Sequence, residues 1–281
     1  MCRGASKTPG GPAWYWGAAR AEVGLTVEVT GLELALLCFS AFVAGGVDAI
    51  AGGGGLITLP MLLATGMPAH YALGTNKGQS VFGSFSALVR YARARLVSGR
   101  LAWVSFPLGL MGAFAGTRLV LWVKPEVLKP LVLVLLVAVA AFLAFRKGPP
   151  PGDRPEPPLA RLRLLGGAVA FVIGAYDGFF GPGTGTFLIV GFSTLLGHGL
   201  LRASADAKVV NFASNIAAVV LFAWSGKVLW HVALPMAAAQ FTGAWIGAHL
   251  TVKGGDRLVR KVVLLVVAAL VLKLGRDLLT G

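Results

Sequence analysis

Ala72-Leu-Gly-Thr-Asn-Lys77 opens one long apolar run, and Ala203-Ser-Ala-Asp-Ala-Lys208 opens another 131 residues later. Each run is long enough to span a bilayer as a helix, so the pair places two matched ammonium groups inside a membrane protein. An ionised side chain at bilayer depth costs roughly 2.5–3.5 kcal/mol on insertion scales and therefore faces a cavity or a partner rather than lipid. Two inward-facing cations make a small anion the natural guest.

Composition supports the same class. The 281-residue chain is 56% hydrophobic and only 13% charged, with mean hydropathy +0.78, too few polar residues to solvate a soluble protein of this size. A formal charge of +14 would suggest nucleic acid in a soluble protein. Here the Lys and Arg residues cluster in short loops between apolar runs, the pattern of loops retained on the cytoplasmic side of the cell membrane. The expected partners are a small anion and lipid, without nucleic acid, and no oligomeric partner is assigned. Cys2 and Cys38 build neither a disulfide framework nor a metal site.

In chain order, residues 1–32 form an unpatterned leader carrying Trp14, Tyr15 and Trp16, with no signal-peptide core ahead of a cleavage site. The first membrane unit, 33–145, contains apolar segments near 34–51, 55–66, 70–92, 101–123 and 127–145. Residues 146–160 contain RKGPPPGDRPEPP, a proline-rich stretch that cannot be helical and reads as a cytoplasmic linker. The second unit, 161–281, contains segments near 161–180, 184–197, 203–225, 230–252 and 258–275. The second segment of each unit is short for a crossing.

The two units match by residue. At an offset of 129, Gly45, Asp48, Gly52 and Gly54 meet Gly174, Asp177, Gly181 and Gly183; at 131, Ala72, Lys77, Gly112 and Gly116 meet Ala203, Lys208, Gly243 and Gly247. The fold class expected is all-α integral membrane, with two homologous repeats of about five hydrophobic segments and a short broken or re-entrant helix in each. An odd number of crossings per repeat inverts the halves. The loop after the third segment carries Arg90, Arg93, Arg95 and Arg100, whereas its counterpart carries Lys227, as loops on opposite faces should. Re-entrant second and seventh segments would instead leave the repeats parallel.

Gly52-Gly-Gly-Gly55 and Gly181-Pro-Gly-Thr-Gly185 interrupt one helix and start another. A helix beginning within the membrane presents free amides and a partial positive charge to an anion, which makes Gly54, Gly55, Gly183 and Gly185 candidate contacts. Neither stretch follows a strand or ends in the Lys-Ser/Thr of a phosphate loop.

The Gly-x-x-Asp followed by a glycine-rich break in both halves, Gly74-Thr-Asn-Lys77, and the Ala-x-x-Lys-x-x-Asn-x-x-x-Asn at 205–215 resemble the TauE/SafE family of sulfite and organosulfur anion exporters over about residues 34–275. The resemblance implies an integral protein of the cytoplasmic membrane that moves small sulfur oxyanions or sulfonates.

Lys77 and Lys208 are the leading ligand candidates; the alternative is that each snorkels to the interface from the first turns of its segment. Asn76, Gln79, Ser80 and Ser84, with Asn211 and Asn215, fall at helical spacings that give them a shared face, either for the substrate or for helix-to-helix bonding. Asp48 and Asp177 can pair with the lysines, bond the broken backbone or carry protons. Gly112-x-x-x-Gly116 and Gly243-x-x-x-Gly247 read as close-packing faces. His70, His198, His231 and His249 lack metal-ligand spacing and read as interface or loop residues. No catalytic triad, metal cluster, nucleotide motif or cofactor signature occurs, so the expectation is a secondary transporter of small anions rather than an enzyme, with a channel-like anion pore as the alternative.

Overall fold

A computed structural model describes residues 29–145, 155 and 157–280, and their side chains except at 140, 143–145, 260 and 263–280. The proline-rich linker and the leader fall almost wholly outside the described residues. Every described element is helical: α1 (Gly31–Ala51), α2 (Gly55–Ala64), α3 (Ala69–Arg93), α4 (Gly99–Trp122), α5 (Pro125–Phe145), α6 (Leu159–Phe179), α7 (Thr184–Leu195), α8 (Leu200–Trp224) and α9 (Trp230–Thr280). Four of them, α1, α4, α6 and α8, are long and apolar enough to cross a membrane. The last two segments expected from sequence run on as α9, which turns at Gly255 (φ 60°, ψ −159°), a left-handed φ that glycine adopts without penalty.

The molecule is apolar outside and small and polar within. Trp103 and Trp224 are 85% and 89% exposed, and exposed leucines and phenylalanines continue that surface. The interior is rich in Ala, Gly, Ser and Asn, the composition that lets helices approach closely where lipid supplies no hydrophobic drive between them. α3 has the length of a span but too little apolar character, because Asn76, Lys77, Gln79, Ser84 and Ser86 are all buried along it.

Glycines position the helices. Added Cβ atoms at Gly112 and Gly116 of α4 would strike the carbonyls of Phe171 and Ala175 in α6, and at Gly243 and Gly247 of α9 those of Phe42 and Gly46 in α1. Both expected close-packing faces are therefore real, and their partners also lie 129 residues apart. The pairings run parallel, with residue numbers rising together along both helices. α3 and α8 cross at the centre, α3 packing on α9 and α8 on α4.

The basic loops gather at one end. There Arg90 of α3 bonds His249 of α9, and Leu96, Val97 and Val252 pack around Tyr91. His198 is buried at this end, its Nδ1 2.9 Å from Asp206 Oδ2, while Asp206 Oδ1 accepts from the Ser98 amide at 2.7 Å. Its loop position matches the sequence reading; its burial does not, because Asp206 gives the ring a partner inside the protein. At the far end of α3, the Leu229 amide donates to Thr75 at 3.1 Å and Lys227 lies over the Tyr71 ring. The loop after α3 and the loop after α8 thus sit at opposite ends of α3.

Candidate functional site

The two helix breaks meet at the centre. α1 starts with a capping box, Thr30 and Glu33 bonding each other's backbone amide, and ends at Gly52, whose φ of 80° requires the left-handed region. α7 starts after Gly183 (φ 83°). A Cβ at Gly52 would collide with the Gly185 backbone, and one at Gly185 with Gly52, so glycine is required there by close approach as well as by φ. The short helices α2 (10 residues) and α7 (12 residues) are about 15–18 Å long. That is roughly half of a ~30 Å hydrocarbon core, so neither can cross it, and their first residues, Gly55, Thr184 and Gly185, face the central cavity.

A small cavity of about 30 Å³ lies at this junction, lined by residues that include Asp48, Asn76, Lys77, Asp177, Asn211 and Asn215. Ser80, Gly55 and Gly185 complete the part of the lining expected from sequence. The volume holds one or two waters, less than a multi-oxygen anion needs, so the side chains leave no room for the anion in this conformation, although Asp48 keeps some exposure.

Neither lysine snorkels. Lys77 is 3% and Lys208 0% exposed, and each ends on a carboxylate from the other half of the chain. Lys77 Nζ donates to Asp177 Oδ1 at 2.7 Å and to Asn215 Oδ1 at 3.2 Å; Lys208 Nζ donates to Asp48 Oδ2 at 2.8 Å. The two ion pairs are not equivalent. Asp177 also accepts from Thr184 Oγ1 at 2.9 Å and from Ser214 Oγ, a fully bonded carboxylate with a side chain 6% exposed. Among the described residues Asp48 has beyond its lysine only the Gly54 amide at 3.3 Å, and its side chain is 21% exposed. Of the roles open to the aspartates, the structure places both as lysine partners and Asp48 additionally on the broken backbone.

Around this core, Thr58 Oγ1 and Gln79 Nε2 both donate to Asn76 Oδ1, at 2.6 and 2.9 Å, and Asn215 Nδ2 donates to Ser84 at 3.4 Å. Gln79, Gly54, Gly183 and Lys208 stand behind the cavity wall. Lys208 reaches the cavity only through Asp48.

Gly52, Gly181, Thr184 and Gln240 line the cavity as well, and none was singled out as a ligand from sequence. Gln240 is the informative omission. It is 3% exposed, its Oε1 has no partner among the described residues, its side chain fills space that a Cβ at Gly83 would occupy, and a Cβ at Gly45 would strike its backbone carbonyl. A lone buried glutamine opposite two glycines on other helices is a signal, but only once the helix pairing is known.

The family described as sulfite exporter TauE/SafE matches residues 37–274. A probable membrane transporter protein, ORF9, of Sinorhizobium is 41% identical over 252 residues, covering 87% of this chain and 93% of its own. A probable membrane transporter of Haemophilus influenzae is 41% identical over 232 residues (83% and 90%). YfcA of Escherichia coli, also a probable membrane transporter, is 37% identical over 251 residues (89% and 92%). No solved structure matches.

Proposed function

The chain belongs to the sulfite exporter TauE/SafE family of membrane transporters, and from that membership we propose that it is a secondary transporter carrying small sulfur-containing anions, such as sulfite or a short organosulfonate, outward across the cytoplasmic membrane. Its two units are read as inverted repeats. The matched glycine contacts and the loops at opposite ends of α3 support that reading, with the basic end in the cytoplasm.

The observation that carries the proposal is the convergence of two helix N-termini and two Lys–Asp pairs on one small cavity. With both pairs ionised, the side chains sum to no net charge. The helix N-termini then contribute about +0.5 each, so the site is matched to one negative charge. A monoanion such as hydrogensulfite or a sulfonate fits that count better than a dianion. Lys77, Asn76, Ser80, Asn211, Asn215 and Gln240 supply amide, hydroxyl and ammonium groups around it, with little apolar wall for a longer acid. Lys208 acts through Asp48. A cavity of about 30 Å³ is too tight for the anion to pass, which supports alternating access, in which the halves part to admit the substrate, over an open anion pore.

The test is flux into liposomes carrying the purified full chain. Sulfite and short sulfonates should be taken up saturably. Gln240→Leu should raise KM roughly tenfold or more, the effect of losing a hydrogen bond to a charged group. Transport of a cation or a neutral solute with no response to any sulfur oxyanion or sulfonate would defeat the proposal.

A further inference from the structure

A second cavity lies away from the central site, in a trench between the outer faces of α3 and α9. Its volume is about 560 Å³. Phe85, Val89 and Arg93, one turn apart on α3, form one wall. Phe241, Trp245 and Ile246 of α9 form the other. Phe85, Phe241 and Ile246 are exposed, so the trench opens to the surroundings of the helices. Its character changes along its length: the phenylalanine end is apolar but for Thr242, whose hydroxyl donates to the Ala238 carbonyl in its own helix, and the other end carries Arg93, the charged group among the described lining residues.

The Arg93 guanidinium lies over the Trp245 ring, 5.4 Å from its centre, and has no carboxylate within ion-pair distance among the described residues. Arg93 sits at the basic end, near Arg90. A cation without a carboxylate partner among the described residues, above a half-buried tryptophan at one end of a trench about 12 Å long from residue 85 to residue 93, has the form of an amphiphile site. An acyl chain satisfies the apolar walls, and an anionic headgroup satisfies the arginine. Basic pockets between membrane helices on the cytoplasmic side recognise anionic lipid headgroups in this way.

We propose that the α3–α9 trench binds one anionic phospholipid of the adjoining leaflet, with an acyl chain between Phe85 and Phe241 and its phosphate on Arg93. Charge complementarity selects this occupant over a second copy of the chain, which would bring the same unpaired arginine to the contact. Because α3 carries Lys77 and α9 carries Gln240, a lipid held here clamps two helices that line the central cavity. The site does not depend on what the transporter carries.

The test is native mass spectrometry of the full chain in detergent, with phosphatidylglycerol and phosphatidylcholine of identical chains added in turn. Phosphatidylglycerol should be retained preferentially by about fivefold, the factor that one basic residue near the surface confers. Arg93→Gln should remove that preference while phosphatidylcholine retention stays as in the wild type. Thr242→Trp, which fills the trench from its exposed α9 side without touching Arg93, should lower retention of both lipids. Equal retention of the two lipids by the wild type, a preference that survives Arg93→Gln, or a dimer that Thr242→Trp dissociates would each overturn the proposal.

Discussion

At the scale of single residues, the lysines behave differently from free cations lining a pore. Each is buried against a carboxylate of the other half, so removing one charge strands another in a low-dielectric interior. Lys77→Gln should therefore lower stability by about 3–5 kcal/mol, the usual cost of breaking a buried pair from one side. Lys77→Gln combined with Asp177→Asn should regain most of the lost thermal stability, since neither charge is then left alone, yet should not transport. Thermal melts of the two purified variants check this. A Lys77→Gln protein melting with the wild type would mean that the Lys77–Asp177 pair contributes nothing to the fold. Lys208 and Asp48 should show a smaller version of the effect, because Asp48 is partly exposed and retains fewer partners.

At the scale of elements, the parallel pairs α4–α6 and α1–α9 are set by backbone contact. Carbonyls of α1 and α6 lie where a side chain on Gly243, Gly247, Gly112 or Gly116 would begin. Gly247→Val should push α9 away from α1 and lower stability by at least the 1–3 kcal/mol typical of overpacking. Gly99→Ala, where a Cβ meets nothing, should leave the melting temperature unchanged. Comparable melts for the two variants would mean that α9 shifts freely on α1. The turn at Gly255 and the breaks at Gly52 and Gly183 are among the points where a positive φ favours glycine.

At the scale of the whole molecule, the arrangement of charge gives a direct test of orientation. In a background with Cys2 and Cys38 replaced, cysteines at the exposed positions Arg100 and Ser225 should react with an impermeant reagent from opposite sides of the membrane, Arg100→Cys from the cytoplasm. Ser98 lies in the same basic loop but is buried and unsuited to labelling. Reaction of both positions from one side would rule out the inverted arrangement.

Sequence by itself determined the class and the raw material of the site. Composition demands lipid, the order of apolar segments anticipates the helices, and the glycine runs break the chain where α2 and α7 begin. The Asp and Lys positions stood out because such residues are rare at membrane depth and are therefore informative wherever they occur. Only the tertiary structure decided who meets whom. Lys77 finds Asp177 across 100 positions and Lys208 finds Asp48 across 160, contacts that no helical period encodes. Lys208, Gln79, Gly54 and Gly183 are not among the residues lining the cavity, since a shared helical face does not specify depth. Gln240 entered the site for the converse reason: its segment reads as an ordinary apolar helix, and its amide becomes a cavity group only when Gly45 and Gly83 of two other helices make room for it. Local physics writes the elements into the chain. The cavity arises from long-range contacts between small residues, whose distances in sequence carry no local signal.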